Sequence, residues 1–450
     1  MMTFIEEVNL VERLASEVKH HGGEAYFVGG YVRDEIMGTH CKDIDVEVHG
    51  ISCARFEEIL DKFGQRIETG KSFGVYKISH CSVDFALPRT EENTGRGHRD
   101  FKIFTDPYAG TKNAARRRDF TINSIMKNVL TGELTDHFGG LEDIKNGCIR
   151  HIDDDSFKED PLRVLRAAQF AARFDFVIDS RTIELCSAMS LDTLSNERVF
   201  MEMEKALLKS DTPSVFFENI RQMNHLSYWF PELEALIGIE QNKTHHKEGD
   251  VWTHTMMVLD CAAKYRDKVQ KPLSFMLSAL VHDFGKAMTT SEKNGVIHSY
   301  NHETEGLPVV REFVKRLTNN NEITRYVLNM TEHHMKPNML YAHKSAVKAT
   351  NKMFDKSVAP GDLIYLAMCD SLGKLPKGDT DGAKEFLEKR YNIYNEYMSR
   401  PYVTGKDLLD AGIEAGKNYR ELLNYAHKLR LAGIKKEDAL KQTISYSEEL

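Results

Sequence analysis

Apolar positions in residues 4–20 recur at helical intervals, at Ile5, Val8, Val11, Leu14 and Val18, and predict an amphipathic first helix. The period then changes. AYFVGG, DIDVEV, VYKIS and SVDFAL are short β-rich runs separated by Gly, Asp and His. Such runs with flanking helical patterns predict a mixed sheet with helices packed on it. Clustered turn residues in TDHFGGLEDIKNG end this region near Thr135–Asn146. Beyond about Asp153 the strand signal nearly vanishes. Leu162, Leu165, Ala168 and Ala172 share one helical face, and Val199, Met203 and Leu207 repeat the pattern. The rest reads as helices broken by loops such as PELEALIG and SRPYVTG, with no internal repeat. The expected fold class is therefore α+β and multidomain: a mixed-sheet head followed by an all-helical body.

Composition narrows the class. With 450 residues the chain exceeds what one hydrophobic core supports, about 250–300 residues. A net charge of −8 means that any RNA-binding surface must be local. The cysteines, Cys41, Cys53, Cys81, Cys148, Cys186, Cys261 and Cys369, form no CxxC pair. That pattern points to reduced thiols in a cytoplasmic protein rather than a disulfide framework or thiolate zinc site. No run approaches the ~18 apolar residues of a membrane span, so no membrane partner is expected. The acidic, amphipathic N-terminus is unlike a signal peptide.

The most informative stretch is Val28-Gly29-Gly30-Tyr31-Val32-Arg33-Asp34, followed by Asp43-Ile44-Asp45. Residues two apart on a strand point the same way, so Asp43 and Asp45 are expected on one sheet face. Crowded carboxylates repel unless a cation lies between them, and hard oxygen donors favour Mg²⁺ or Mn²⁺ over zinc. Asp84, in the run SVDFAL, is a third candidate. Three carboxylates around metal suit phosphoryl transfer. Gly29 and Gly30 let backbone N–H groups approach a triphosphate. Alone, a GG pair reads as a turn and a DxD as a strand end. Together they resemble the signature of the class II tRNA nucleotidyltransferase and bacterial poly(A) polymerase family, within the polymerase-β-like nucleotidyltransferases. The resemblance implies that Asp43 and Asp45 bind Mg²⁺ with Asp84 as a third catalytic carboxylate. Gly29, Gly30 and Arg33 then fall on the nucleotide side.

A second block, Arg116-Arg117-Arg118-Asp119-Phe120-Thr121-Ile122-Asn123, contains RRDFTIN. Clustered arginines offer phosphate donors, and Asp and Asn can address a ribose hydroxyl. The block resembles the same family's ribose-contacting motif, which implies nucleotide contacts from Arg117, Arg118, Asp119 and Asn123. Residues 88–113 between the blocks resemble that family's flexible loop.

Glu159-Asp160-Pro161-Leu162-Arg163 opens a helix, with Arg166 one turn on. Asp160 and Arg163 are three apart and are expected on one helix side, an acceptor beside a forked donor. Such a pair can mimic the edge of a base. The stretch resembles the family's EDxxR template, which implies that Asp160 and Arg163 select CTP or ATP with support from Arg166. Arg198, in LSNERV, is expected to be structural or at most a phosphate contact.

A third constellation is independent of these. His254, the adjacent pair His282-Asp283, His302, His333-His334 and Asp370 recur through the helical body. Imidazole with carboxylate suits a divalent metal. The set resembles the HD phosphohydrolase superfamily, implying His254, His282, Asp283 and Asp370 as ligands, with His302 and His333 or His334 serving a second metal or a phosphate. The last segment resembles the CCA-adding family's C-terminal region, where Lys417, Arg420, Lys428, Arg430, Lys435 and Lys436 are placed to meet tRNA phosphates.

These resemblances imply a polymerase-β-like head over residues 1–145 and a helical neck with base recognition over 146–235. An HD domain over 236–385 and a tRNA-contacting helical tail over 386–450 complete the order. The implied activity is template-independent CCA addition to tRNA from CTP and ATP, with phosphohydrolase activity in the HD domain. Poly(A) polymerase and CC-only or A-only addition stay open. So does a phosphohydrolase or RNA-binding module whose head is inactive.

Overall fold

The computed structural model describes residues 2–39, 43–68, 74–93, 101–242, 244 and 246–450. Residues 94–100, the middle of the stretch expected to be a flexible loop, lie outside them. The chain forms two compact units. The first holds Met1–Ala206 and Val215–Tyr228, the second Leu207–Ser214 and Trp229–Leu450.

In the first unit, Thr3 caps helix α1 (Phe4–His20) through a reciprocal bond with Glu6. Its face Leu10, Val11, Leu14 and Val18 is buried, whereas Ile5 is exposed. The sheet has seven strands: β1 (Glu24–Val28), β2 (Asp45–His49), β3 (Arg66–Glu68), β4 (Val75–Ile78), β5 (Asp84–Ala86), β8 (Met126–Asn128) and β9 (Leu134–Thr135). Between them, β6 (Arg89–Asn93) and β7 (Phe101–Thr105) form a separate hairpin. The strand order is β3-β4-β5-β2-β1-β8-β9, with β2 and β5 parallel and the other pairs antiparallel. Val46, Val48 and Phe85 point into one core with Phe56 and Ile59 of helix α3 (Cys53–Phe63). Helix α2 (Gly30–Ile36) leaves β1 through Gly29. A parallel pair, β10 (Cys148–Ile149) with β11 (Val177–Ile178), precedes and follows helix α4 (Leu162–Phe174). Helix α4 is buried on most sides, so it is a core helix and not the one-faced element its leucine spacing predicts. Helix α5 (Asn196–Lys209) follows.

The second unit is built mainly of helices, among them α6 (Val251–Ala263), α7 (Pro272–Val281), α8 (His302–Glu305), α9 (Asn321–His333) and α10 (Pro360–Leu372). It also contains a hairpin, β12 (Thr290–Lys293) with β13 (Val296–Ser299), which the expectation of an all-helical body missed. Its strands bury little and carry no apolar alternation, so no period-2 signal marks them. Near the C-terminus, Val403, Leu408, Leu422, Ala426 and Ala439 form their own small core. There Arg430 stacks on Tyr402 at 4.5 Å and Lys436 pairs with Asp407 at 2.7 Å. No helix among the described residues is long and apolar enough to cross a membrane.

Candidate active sites

Strand β2 opens at Asp45, so Asp43 lies in its lead-in and not on the strand. The alternation still holds, because Ile44 is buried and Asp43 is exposed. The Asp84 N–H donates to the Ile44 carbonyl at 3.0 Å, which extends the parallel pairing and sets Asp45 opposite Asp84. Lys77 on β4 lies 3.0 Å from an Asp84 oxygen. Burial, then the neighbouring Asp84, push the Asp45 carboxyl up to about 6, against the pull of Arg118, and Asp43 adds to the rise. Carboxylates crowded to this degree suit a cation between them. An all-oxygen donor set fits Mg²⁺.

The turn out of β1 explains the glycines. Gly29 has φ +67, and a Cβ there would lie 3.1 Å from an Arg118 guanidinium nitrogen and 3.6 Å from an Asp45 oxygen. Arg117 and Arg118 line a cleft of about 550 Å³ with Asp45, Asp84 and Asp119. Arg118 donates to the Asn123 carbonyl and to Glu47 on β2, both at 3.3 Å. Glu47 also accepts from His49 at 2.9 Å. Burial alone would raise Glu47, but His49 and Arg118 outweigh it and hold the carboxyl below its ordinary value.

Arg33 is placed differently from the sequence expectation. It is 3% exposed and does not line the cleft. Its Nε and one terminal nitrogen bond Asp34 at 2.8 and 2.5 Å, the other donates to the Asn123 side chain at 2.6 Å, and the guanidinium lies over the mutually stacked Phe170 and Phe174 rings, at 5.2 and 4.6 Å from their centres. Asn123 is buried too, and donates to Asp119 at 2.9 Å. Both residues brace the wall from behind. Asp119 faces the cleft but already accepts from the Phe120 N–H at 2.8 Å and from Arg166 at 2.7 Å.

Asp160, Arg163 and Arg166 line the same cleft as Asp45 and Asp84. Asp160 does not share a helix face with Arg163, because α4 begins only after Pro161. It accepts from the Leu162 N–H at 3.1 Å and from Arg198 at 2.8 and 3.0 Å. Arg163 donates to the Ser156 carbonyl at 2.5 Å and the Arg117 carbonyl at 2.7 Å.

The second unit gathers the histidines. His254 on α6, His282 after α7 and Asp370 on α10 form one buried triad. Asp283, His302 and His334 form another. Asp283 joins them: one oxygen is 3.1 Å from His282 Nε2 and the other 3.1 Å from His302 Nε2. The Nδ1 atoms of His282, His302 and His334 meet backbone carbonyls at 2.9, 2.8 and 2.7 Å. His254 Nδ1 meets the Gly373 carbonyl at 3.2 Å. Those bonds leave the Nε2 lone pairs facing inward. His254 and His282 approach at 3.4 Å between Nε2 atoms, and His302 and His334 at 3.3 Å. Facing lone pairs repel, and a divalent cation in each triad relieves that repulsion, so the donor sets fit metal. Burial, with His282 next, pushes His334 down to about 3 and keeps it neutral, whereas the carboxylates beside His254 and His302 outweigh burial and hold those two imidazoles above their ordinary value, charge that a bound cation would replace. The structure brings His334 into the site and leaves His333 out. The His333 ring turns to Lys336 at 3.1 Å.

Comparison with known proteins fits this geometry. Residues 25–150 match the Poly A polymerase head domain, residues 175–237 the Probable RNA and SrmB- binding site of polymerase A, and residues 251–372 the HD domain. A Multifunctional CCA protein of Actinobacillus pleuropneumoniae serotype 5b is 35% identical over 330 residues, covering 72% of this chain and 77% of that one. The chain belongs to the Multifunctional CCA protein family. Another member, from Shewanella frigidimarina, is 36% identical over 376 residues, covering 81% and 86%. Among solved structures, the Thermotoga maritima CCA-adding enzyme complexed with tRNA_CCA matches with TM-score 0.63 at 21% identity, over 97% of this chain and 95% of that one. The Bacillus stearothermophilus CCA-adding enzyme in complex with CTP matches with TM-score 0.66 at 18% identity, over 100% and 99%. These two likenesses establish the fold.

Four residues of this family member escaped the sequence reading in whole or part. Glu47 follows Asp45 by two and could have been found by extending DxD to DxDxE. Lys77 had no signal beyond its strand. No spacing in the sequence links Arg198 to Asp160. Glu202, buried on α5, lies 4.0 Å from Arg166, and only helical spacing from Arg198 hinted at it.

Proposed function

We propose that the chain completes tRNA 3′ ends by adding CCA from CTP and ATP in the cytoplasm, without a nucleic-acid template. The observation that carries this reading is one cleft holding both the Asp45–Asp84 carboxylates and the Asp160–Arg163 pair. The names of its relatives support it. Asp43, Asp45 and Asp84 would hold Mg²⁺, which when bound activates the attacking 3′ hydroxyl and offsets charge on the leaving pyrophosphate. Arg117 and Arg118 hold the triphosphate against the open backbone at Gly29. Asp160 and Arg163 present an acceptor and a donor to the base edge. Arg166 is tied to Asp119 and keeps that wall rigid. The domain order is head (1–145), neck (146–235), HD domain (236–385) and tail (386–450). The test offers tRNAs ending before CCA and after CC, and a generic RNA, with each single nucleotide, and sequences the products. Full CCA on the first substrate supports the proposal. Poly(A) on generic RNA, or arrest at CC, overturns it.

A second reading concerns the HD site and rests on the facing Nε2 pairs, which have no use in nucleotidyl transfer. The site is a metal-dependent phosphohydrolase that removes a 2′,3′-cyclic or 3′ phosphate, exposing the hydroxyl the head requires. Hydrolysis of 2′,3′-cyclic nucleotides and 3′-phosphorylated tRNA with Ni²⁺, Mn²⁺ or Mg²⁺ tests it. Absence of hydrolysis with all three overturns it.

A further inference from the structure

Arg118 stands between two carboxylates that need different things from it. One is Asp45, which would hold metal. The other is Glu47, two residues along the same strand and on the same sheet face. The guanidinium is committed to Glu47, to which it donates at 3.3 Å, while its other terminal nitrogen donates to the Asn123 carbonyl at 3.3 Å. Glu47 is itself fixed, because His49 bonds its second oxygen at 2.9 Å and the His49 ring packs edge-on against Tyr26 at 5.5 Å. The Glu47 side chain is 12% exposed and borders the cleft. A cation held on two sides loses little rotamer freedom when a phosphate arrives.

We infer that Glu47 is a positioning residue for nucleotidyl transfer: through Arg118 it fixes where the triphosphate of CTP or ATP docks. The inference rests on the nucleotidyl-transfer reading and on Arg118 as a phosphate contact. Because it acts on the triphosphate, its effect is equal for both nucleotides, unlike that of a base reader.

The experiment is a double-mutant cycle of Glu47→Gln and Arg118→Gln in the full chain. It reads CTP and ATP KM and kcat on the matching tRNAs, with CTP binding measured separately by equilibrium dialysis. Glu47→Gln is expected to raise KM and weaken CTP binding about tenfold, equally for CTP and ATP, with kcat within about threefold. In the Arg118→Gln background the same change should alter KM less than about twofold, since coupled residues are non-additive. Glu47→Asp, which keeps the charge on a shorter arm, should fall between, and it replaces Glu47→Gln in the cycle if that variant does not fold. Additive effects, an unchanged KM in the Glu47 variants, or a change confined to one nucleotide overturns the role of Glu47. An unchanged KM in Arg118→Gln overturns instead the reading of Arg118 as a phosphate contact.

Discussion

Arg198 donates to both carboxylate oxygens of Asp160, at 2.8 and 3.0 Å. The acceptor proposed to read a base is thus already engaged, and Arg163 beside it is engaged with two backbone carbonyls. An incoming base must share Asp160 with Arg198, so Arg198 sets the direction in which that carboxylate faces. About a third of each side chain is exposed, which puts the pair at the weak end of ion-pair energies, up to about 1 kcal/mol. Arg198→Ala is therefore expected to cost roughly fivefold in selectivity for CTP over UTP, with the protein still folded. Single-nucleotide addition to tRNA lacking CCA measures this. Unchanged selectivity with slower addition would reduce Arg198 to a structural part.

Arg33 is expected to matter for stability and not for nucleotide affinity. It is buried against Asp34, Asn123 and two phenylalanine rings. Removing one member of a buried ion pair typically costs on the order of 3–5 kcal/mol, here reduced because Asp34 keeps Arg173 at 3.5 Å. Arg33→Ala should lower the melting temperature strongly. The CTP KM of protein that stays folded should move less than about threefold. A tenfold KM change with normal melting would return Arg33 to the nucleotide.

The placement of Arg33 shows what the sequence made legible and what it did not. Strands and their carboxylates were readable, because AYFV is a short apolar run buried throughout, DVEV and DFA alternate over few residues, and the alternation survives in the burial of Ile44, Val46 and Val48. Depth was not readable. Arg33 follows a phosphate-type turn, and its burial depends on distant residues, Asn123 90 positions on and Phe170 and Phe174 some 140 positions on. Spacing gave the wrong reason for pairing Asp160 with Arg163, since a same-face argument holds only inside a helix and α4 starts two residues after Asp160, although both residues line the same cleft. The Arg198–Asp160 pair is equally non-local, joining two segments whose separation carries no period.

Asp45 makes a pH prediction. Its folded-state carboxyl is raised from 3.8 to about 6, chiefly by burial and then by Asp84. A group that holds its proton more tightly when folded carries no penalty below its unfolded value. The penalty grows through the window between the two values and is complete above the folded one. Metal-free protein should therefore lose stability as pH rises from about 4 to about 6. Asp45→Asn should remove that loss, melting higher than the native chain at pH 7.5 in chelator by roughly 1–3 kcal/mol. It should also abolish nucleotide addition. Equal melting of the two proteins across this window would contradict the crowding of the carboxylates.

The neighbours His333 and His334 should behave oppositely. His334 ends the turn after α9 with Nδ1 fixed to the Thr331 carbonyl and Nε2 turned to His302 and Asp283. His333 has the same chemistry one residue earlier, and its ring meets Lys336 instead. If the second triad holds metal, His334→Ala removes a ligand and leaves Asp283 and His302 to share an incomplete site. Changing a residue that merely supports a ligand costs about 10–100-fold in metal affinity, so loss of the ligand should cost at least that. His334→Ala is expected to weaken Ni²⁺ or Mn²⁺ binding in calorimetric titration by about 100-fold and to abolish phosphate-ester hydrolysis. His333→Ala should change both by less than about twofold. Addition of CCA should survive in each, because the head's carboxylates lie in the other unit. Equal loss in the two variants, or metal binding that ignores both, would show that the second triad is a buried polar cluster and not a metal site.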